Sequence, residues 1–300
     1  MGSPTRRRNK PGSGSTKPDA AVKTSGASGA GADAVQWRVF AENPAKAWAE
    51  KFFVLWAFCG WVPLMTYIVY SGMYEWFEEV EYFVVGCILA LPCFVVPALW
   101  PWKPDGHLPF HQQYWFKANV WVWTFSYVGN YFWTHYFYNL LGATYTFKAW
   151  RLNNVPIAMF LCTVGYFSMY FSLINMALRA LWTSAGHRRM PAPLRLVVSA
   201  LVIFALSVFT AFMETWTISA FPYYAIRDRA FMYTIGSVLY SIYFVVGFPM
   251  HFYLDEDASK PWSAWDALKD SLAASMTVTI LLDLWRLAIG GLGHVDTFCM

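Results

Sequence analysis

From about residue 50 onward the chain repeats one pattern. A run of mostly apolar residues, longer than the roughly 18 that suggest a membrane-crossing helix, is followed by a shorter polar stretch. Seven such runs cover roughly 51–71, 80–100, 117–140, 155–182, 196–221, 231–253 and 267–290. Most lack the polar face that a helix on a soluble core turns toward water. The pattern predicts an all-α, polytopic membrane bundle of about seven transmembrane helices. Residues 1–36 are different: Gly, Ala, Ser, Thr and Pro with scattered basic residues, beginning with Arg6, Arg7, Arg8 and Lys10. That composition buries too little apolar surface to fold, so a disordered tail is expected ahead of one transmembrane domain over 37–300.

Charge orients this bundle. With the N-terminus in the cytosol, seventeen of the 22 Lys and Arg residues fall on the cytosolic side. Only Lys148, Arg151, Arg227 and Arg229 fall on the other side, and Arg286 lies inside the last run. The first non-cytosolic loop holds Glu75, Glu78, Glu79 and Glu81 and no basic residue. The positive-inside bias therefore predicts a cytosolic N-terminus and a C-terminus across the membrane. Charged residues make up 13% of the chain, against about 25% in an ordinary soluble domain. The five cysteines, Cys59, Cys87, Cys93, Cys162 and Cys299, show no CxxC or metal-ligand spacing and read as free thiols.

Several runs keep polar groups that lipid would penalise. On a wheel of 100° per residue, Asn119, Trp123, Thr124, Tyr127, Asn130, Tyr131, Thr134, His135 and Tyr138 share one arc of the third run. Val122, Phe125, Val128, Gly129, Phe132 and Trp133 fall opposite. The polar arc is expected to face a cavity or, alternatively, only to hydrogen-bond neighbouring helices. In the fifth run Ser199, Ser207, Thr210, Glu214 and Thr217 line up on one face. A carboxyl group removed from water there favours its protonated form, as a general acid requires; a partner for a nearby Arg or an interfacial carboxylate is the alternative. Asp283 and Arg286, three apart in the seventh run, can pair on one helix face. The sixth run aligns Tyr233, Ser237, Tyr240, Ser241 and His251, ahead of an acidic stretch, Asp255 to Asp257, expected to be a solvated loop.

Elimination narrows the chemistry. Six histidines without HxxHH boxes do not make a membrane di-iron site, and no metal is expected. Neither GxGxxG nor a P-loop is present, so no nucleotide cofactor has a visible home. What remains is a chamber of rings, hydroxyls, an imidazole and carboxyls. It suits an apolar ligand with one polar handle, and a cation held against aromatic faces.

Five stretches carry a resemblance: KANVWVWTFSYVGNYFWTHYF (117–137), LGATYTFKAWRLNNVP (141–156), ETWTISAFPYY (214–224), DRAFMY (228–233) and ILLDLWRL (280–287). On these the chain resembles the plant cycloeucalenol cycloisomerases, the cyclopropyl sterol isomerase family, across roughly 43–288. The resemblance implies an isomerase of sterol biosynthesis that opens a 9β,19-cyclopropane ring to give a Δ8 sterol, with no cofactor. It implies a sterol substrate, a lipid bilayer setting, no nucleic-acid partner, and residence in the endoplasmic reticulum. The resemblance supplies no catalytic residues; for this chemistry the polar positions of the sequence itself make Glu214 the expected acid, with His135 or Asp283 as base or relay. Asn119, Trp123, Tyr127, Asn130, Tyr131, Thr134, Thr210 and Tyr240 are the expected substrate contacts, with Trp133 the weakest claim on the pocket. Two other readings stay open: a sterol-binding or transport protein without catalysis, and a sterol Δ8–Δ7 isomerase.

Overall fold

The computed structural model describes residues 36–289. All but the last residue of the expected tail, and Cys299, lie outside the described residues. The described chain forms seven long rods: α1 (Pro44–Ser71), α2 (Glu79–Leu99), α3 (114–141), α4 (Ile157–Thr183), α5 (Ala192–Ile218), α6 (Arg229–Phe252) and α7 (Ala264–Ile289). Their starts are written locally. Asn43 caps α1 by accepting from the Ala45 and Lys46 amides, and Pro44 occupies its first turn. Glu78 and Glu81 form a capping box at the start of α2, and Gly72, at φ 72°, ends α1.

Among the described residues six rods, all but α3, are long and apolar enough to cross a membrane. The expected seven spans thus become six apolar rods and a more polar one. This rod, α3, can carry Lys117, Asn119, Asn130 and His135 because it runs through the interior: its Trp115, Trp121, Phe125 and Trp133 are at most 1% exposed. Successive rods alternate in direction. Asn43 at the start of α1 reaches the Asp255 carbonyl beyond α6, and Arg38 meets Thr183 at the end of α4. At the opposite end, Lys148 pairs with Glu78, and Asn153 donates to the Tyr131 carbonyl.

Short strands close that second end. β1 (Ala143–Tyr145) pairs antiparallel with β4 (Tyr224–Ile226). Between α3 and α4, β2 (Arg151–Leu152) pairs with β3 (Val155–Pro156). Asn153 and Asn154, at φ 50° and 62°, make the two-residue turn between them, a conformation Asn tolerates.

Three rods are interrupted by a π-helical turn: Ala57–Trp61 in α1, Gly129–Trp133 in α3 and Met232–Gly236 in α6. A π turn takes up one extra residue, so everything beyond it is rotated relative to an ideal wheel. The predicted arc of α3 is corrected on this ground. Trp133, expected on the outer side, is fully buried and donates to the Thr279 hydroxyl at 2.8 Å. Before the turn the arc also fails: Val122 and Phe125 are inside and Tyr127 is 49% exposed. There α3 is enclosed by α1, α2, α4 and α7, and ring packing rather than polarity decides which face is innermost.

A second correction concerns the acidic stretch after α6. Asp255 is 2% exposed and pairs with Lys117, while Glu256 pairs with Arg179 at 2.7 Å and Lys46 at 3.0 Å. It is the interior half of an ion network. Arg179 also bonds both oxygens of Glu50, at 3.0 and 3.1 Å, and Asn175 links Glu50 to His251. Lys46, Lys117 and Arg179, placed by the charge count on the cytosolic side, are buried in this network.

Candidate active site

The cavity that matters lies near the strand end, between α3, α4, α5 and α6. Its walls include Gly129, Asn130, Thr134, Phe137 and Tyr138 from α3 and Met159, Thr163 and Phe167 from α4. Glu214, Thr215 and Ile218 come from α5, and Met232, Tyr240 and Tyr243 from α6. Tyr145 of β1 and Tyr224 of β4 complete it. The π turns of α3 and α6 both touch the cavity. Hydroxyls tie each of them: Thr134 donates to the Gly129 carbonyl and Ser237 to the Met232 carbonyl, each at 3.5 Å and each five residues back. The distorted turns thereby present Asn130, Thr134 and Met232 to the same space.

Among the described residues, Glu214 is the only carboxyl group in this wall. The hydroxyls of Tyr170 and Tyr240 stand near the carboxyl and act on it electrostatically, and its Oε2 is buried without a hydrogen-bond partner. The neighbouring Thr215 hydroxyl is also buried without a partner. A buried polar atom left unpaired costs about 1–3 kcal/mol, so its survival in a cavity wall points to a ligand or reacting group. Asn130, by contrast, is committed: its amide donates to the Ser126 carbonyl at 2.9 Å and the Thr163 hydroxyl at 3.1 Å. Burial holds the Tyr145 and Tyr224 hydroxyls well above their ordinary pKa, so both stay neutral donors. Among the described residues no cluster of His, Cys, Asp and Glu could hold a metal ion.

No family model and no solved structure matches the chain. Cycloeucalenol cycloisomerase of Arabidopsis thaliana is 45% identical to it over 251 residues, 83% of this chain and 89% of that protein. The chain belongs to the cycloeucalenol cycloisomerase family. Four of the five stretches that carry the family resemblance converge on the cavity: 117–137, 141–156, 214–224 and 228–233. The fifth, 280–287, does not reach it.

Of the residues expected at the site of this family member, Glu214, Asn130, Thr134 and Tyr240 line one cavity. The others lie elsewhere. His135 packs edge-on against Tyr138, 5.6 Å between rings, with a buried Nε2 that has no partner, but it is not part of the wall. Asp283 is 43% exposed and bound to Arg286 at 2.7 Å, the internal pair its spacing allowed. Asn119 donates to the Cys93 and Trp115 carbonyls, joining α3 to α2, and accepts from Trp123 within α3. Tyr127 and Tyr131 stack on each other at 5.7 Å toward the outside, and the Thr210 hydroxyl returns to the Leu206 carbonyl. Sequence reasoning missed Tyr145, Tyr170, Tyr224 and Tyr243. Tyr145 and Tyr224 stood in the family stretches, but outside every apolar run searched for stripes.

Proposed function

We propose that this family member opens the 9β,19-cyclopropane ring of cycloeucalenol to give the Δ8 sterol obtusifoliol, with Glu214 as the acid. The observation that carries the reading is the unpartnered Glu214 Oε2 in a ring-lined cavity of a chain 45% identical to cycloeucalenol cycloisomerase. Protonation of carbon 19 breaks its bond to carbon 9 and leaves positive charge there. Loss of the carbon 8 proton then forms the double bond, so one proton enters, one leaves and no redox change occurs. Tyr138, Tyr145, Tyr224, Tyr240 and Tyr243 surround the acid and can hold the cation against their faces, worth roughly 1–2 kcal/mol per well-placed ring.

The second proton needs a base. His135 and Asp283 stand outside the cavity wall, whereas the Glu214 carboxylate, once it has given up its proton, is within it. Glu214 therefore serves as both donor and acceptor, with the Tyr170 and Tyr240 hydroxyls close enough to act on its charge. The cavity encloses about 70 Å³, well short of the roughly 300–1,000 Å³ of sites that bury drug-sized ligands. A sterol is admitted only when the helices part. α5 is the rod to move: only 11% of its apolar window is buried, and it packs extensively on α6 but little on α4. A sterol arriving from lipid between α4 and α5 would meet Glu214 directly. An endoplasmic reticulum membrane, with the N-terminus cytosolic, fits the basic residues at the ion-network end and the sterol substrate.

The test uses microsomes bearing the full chain, incubated with cycloeucalenol. A Δ8 product is expected, and Glu214→Gln should lower turnover by about 10²–10⁴-fold, the usual contribution of a general acid. Sterol retention with no ring opening in the unmodified chain would instead favour a binding or transport protein.

A further inference from the structure

The β1–β4 ribbon has two faces. Its register sets Ala143 opposite Ile226, Thr144 opposite Ala225 and Tyr145 opposite Tyr224. Successive strand residues point to opposite faces, and exposure follows that rule. Ala143 and Tyr224 are buried and Tyr145 is half-buried, while Thr144 and Ala225 are exposed. The outer face is therefore small and wet, and the inner face is aromatic. The Tyr145 and Tyr224 rings lie 5.0 Å apart across the ribbon, and both form part of the wall of the Glu214 cavity.

The ribbon is pinned where it leaves the helices. The Arg227 amide donates to the Gly142 carbonyl at 3.1 Å, and the Thr146 amide to the Tyr223 carbonyl at 2.8 Å. Tyr138, itself in the wall, stands edge-on to Tyr145 at 6.3 Å and donates to the Asn154 carbonyl at 3.4 Å. Backbone of this kind belongs at a bundle end, because lipid cannot satisfy it. The Tyr145–Tyr224 pair thus stands between the acid and the water beyond the ribbon.

We propose that Tyr145 and Tyr224 are product-determining residues, sealing the cavity so that the carbon 9 cation loses a proton instead of capturing water. This rests on the ring-opening reading above. The competing reaction balances without any other reagent. Water attacks carbon 9, a carbon–oxygen bond forms, the attacking water gives up a proton to the Glu214 carboxylate, and the product is a tertiary alcohol that keeps the new methyl group. The net change is addition of one water, so product identity reports directly on the seal.

The experiment compares the full-length chain with Tyr145→Leu, Tyr224→Leu and the two Phe variants. Each is supplied with cycloeucalenol in ¹⁸O-water and its sterols are analysed by mass spectrometry. The unmodified chain and the Phe variants should yield Δ8 sterol alone, while each Leu variant diverts a tenth or more of its product to an ¹⁸O-labelled alcohol. Leu variants that turn over and give only Δ8 sterol overturn the proposal, as do Phe variants that leak as much as Leu.

A second measurement needs no turnover. Thr215→Cys places a thiol in the cavity wall, to be challenged with a water-soluble methanethiosulfonate reagent. Position 215 should be protected behind the native ribbon and modified at least tenfold faster when Tyr224→Leu is added. Equal rates overturn the seal. If the unmodified chain opens no ring, the ring-opening reading fails, while the labelling still decides whether the tyrosine pair excludes water.

Discussion

At the scale of single residues, the site is one carboxyl with unequal oxygens. The Tyr170 and Tyr240 hydroxyls stand near the Glu214 carboxyl, and its buried Oε2 has no partner. A hydroxyl that bonds the carboxylate as it forms would contribute about 1.5–3 kcal/mol, or about 10–100-fold in an equilibrium. Tyr240→Phe should therefore cut kcat by about tenfold or more, while protein recovery in detergent stays normal. Asp283→Asn should leave turnover within about twofold, because that carboxylate is held by Arg286 away from the cavity. A large loss of kcat in Asp283→Asn would restore it as a candidate base. Glu214 was legible in the sequence because a lone carboxyl in an apolar run has few cheap explanations. Tyr240 was also expected at the site, on the polar stripe of its run, but Tyr170 was not, because it comes from α4, whose place beside α5 no local pattern states.

Elements decide which side chains those carboxyl oxygens meet. The wheel of α3 found Asn130 and Thr134 but put Trp133 on the wrong side, as it did Val122 and Phe125 ahead of the π turn at Gly129–Trp133, because ring packing and not polarity sets the innermost face. The turn between α3 and β1 is equally specific. Gly142 sits at φ 61°, and a Cβ there would stand 2.8 Å from the Arg227 Cβ. Gly142→Ala should cost about 1–2 kcal/mol for the left-handed backbone alone, and more for the clash. The expected result is a lower melting temperature together with loss of the ribbon's protection of position 215. An unchanged melting temperature would mean that the turn adjusts freely.

At the scale of the whole molecule, acid chemistry and stability occupy opposite ends of the bundle. The network of Lys46, Glu50, Lys117, Arg179, Asp255 and Glu256 joins α1, α3, α4 and the segment after α6. Three cations meet three carboxylates in it, so the cluster is internally neutral. Removing one partner strands a buried charge, and Arg179→Met should destabilise the fold by about 3–5 kcal/mol in thermal melts. Burial alone would raise the Glu256 pKa, but Arg179 and Lys46 outweigh it and hold the carboxyl below its ordinary 4.5. A depressed folded-state pKa stabilises above the unfolded value and fades as pH falls through the folded one. Melting temperature should therefore drop as pH is lowered below about 4.5, and Glu256→Gln should melt lower at pH 7 with a flatter acid response. The sequence reading took Asp255 to Asp257 for a solvated loop, because the cations that bury its first two residues lie in α1, α3 and α4.

Hydropathy and length dictate six of the seven rods and their order, since each of these satisfies its own backbone and needs no partner to be apolar. The same local logic picks out Glu214, whose cost in lipid is a property of one residue. Everything that makes Glu214 useful is non-local. The unpartnered oxygen, the tyrosine shell and the ribbon above it exist only where α3, α4, α5, α6 and two strands 79 residues apart in their pairing are packed together. Packing sets those distances through ring contacts and π turns, neither of which has a period that a chain read in one dimension displays.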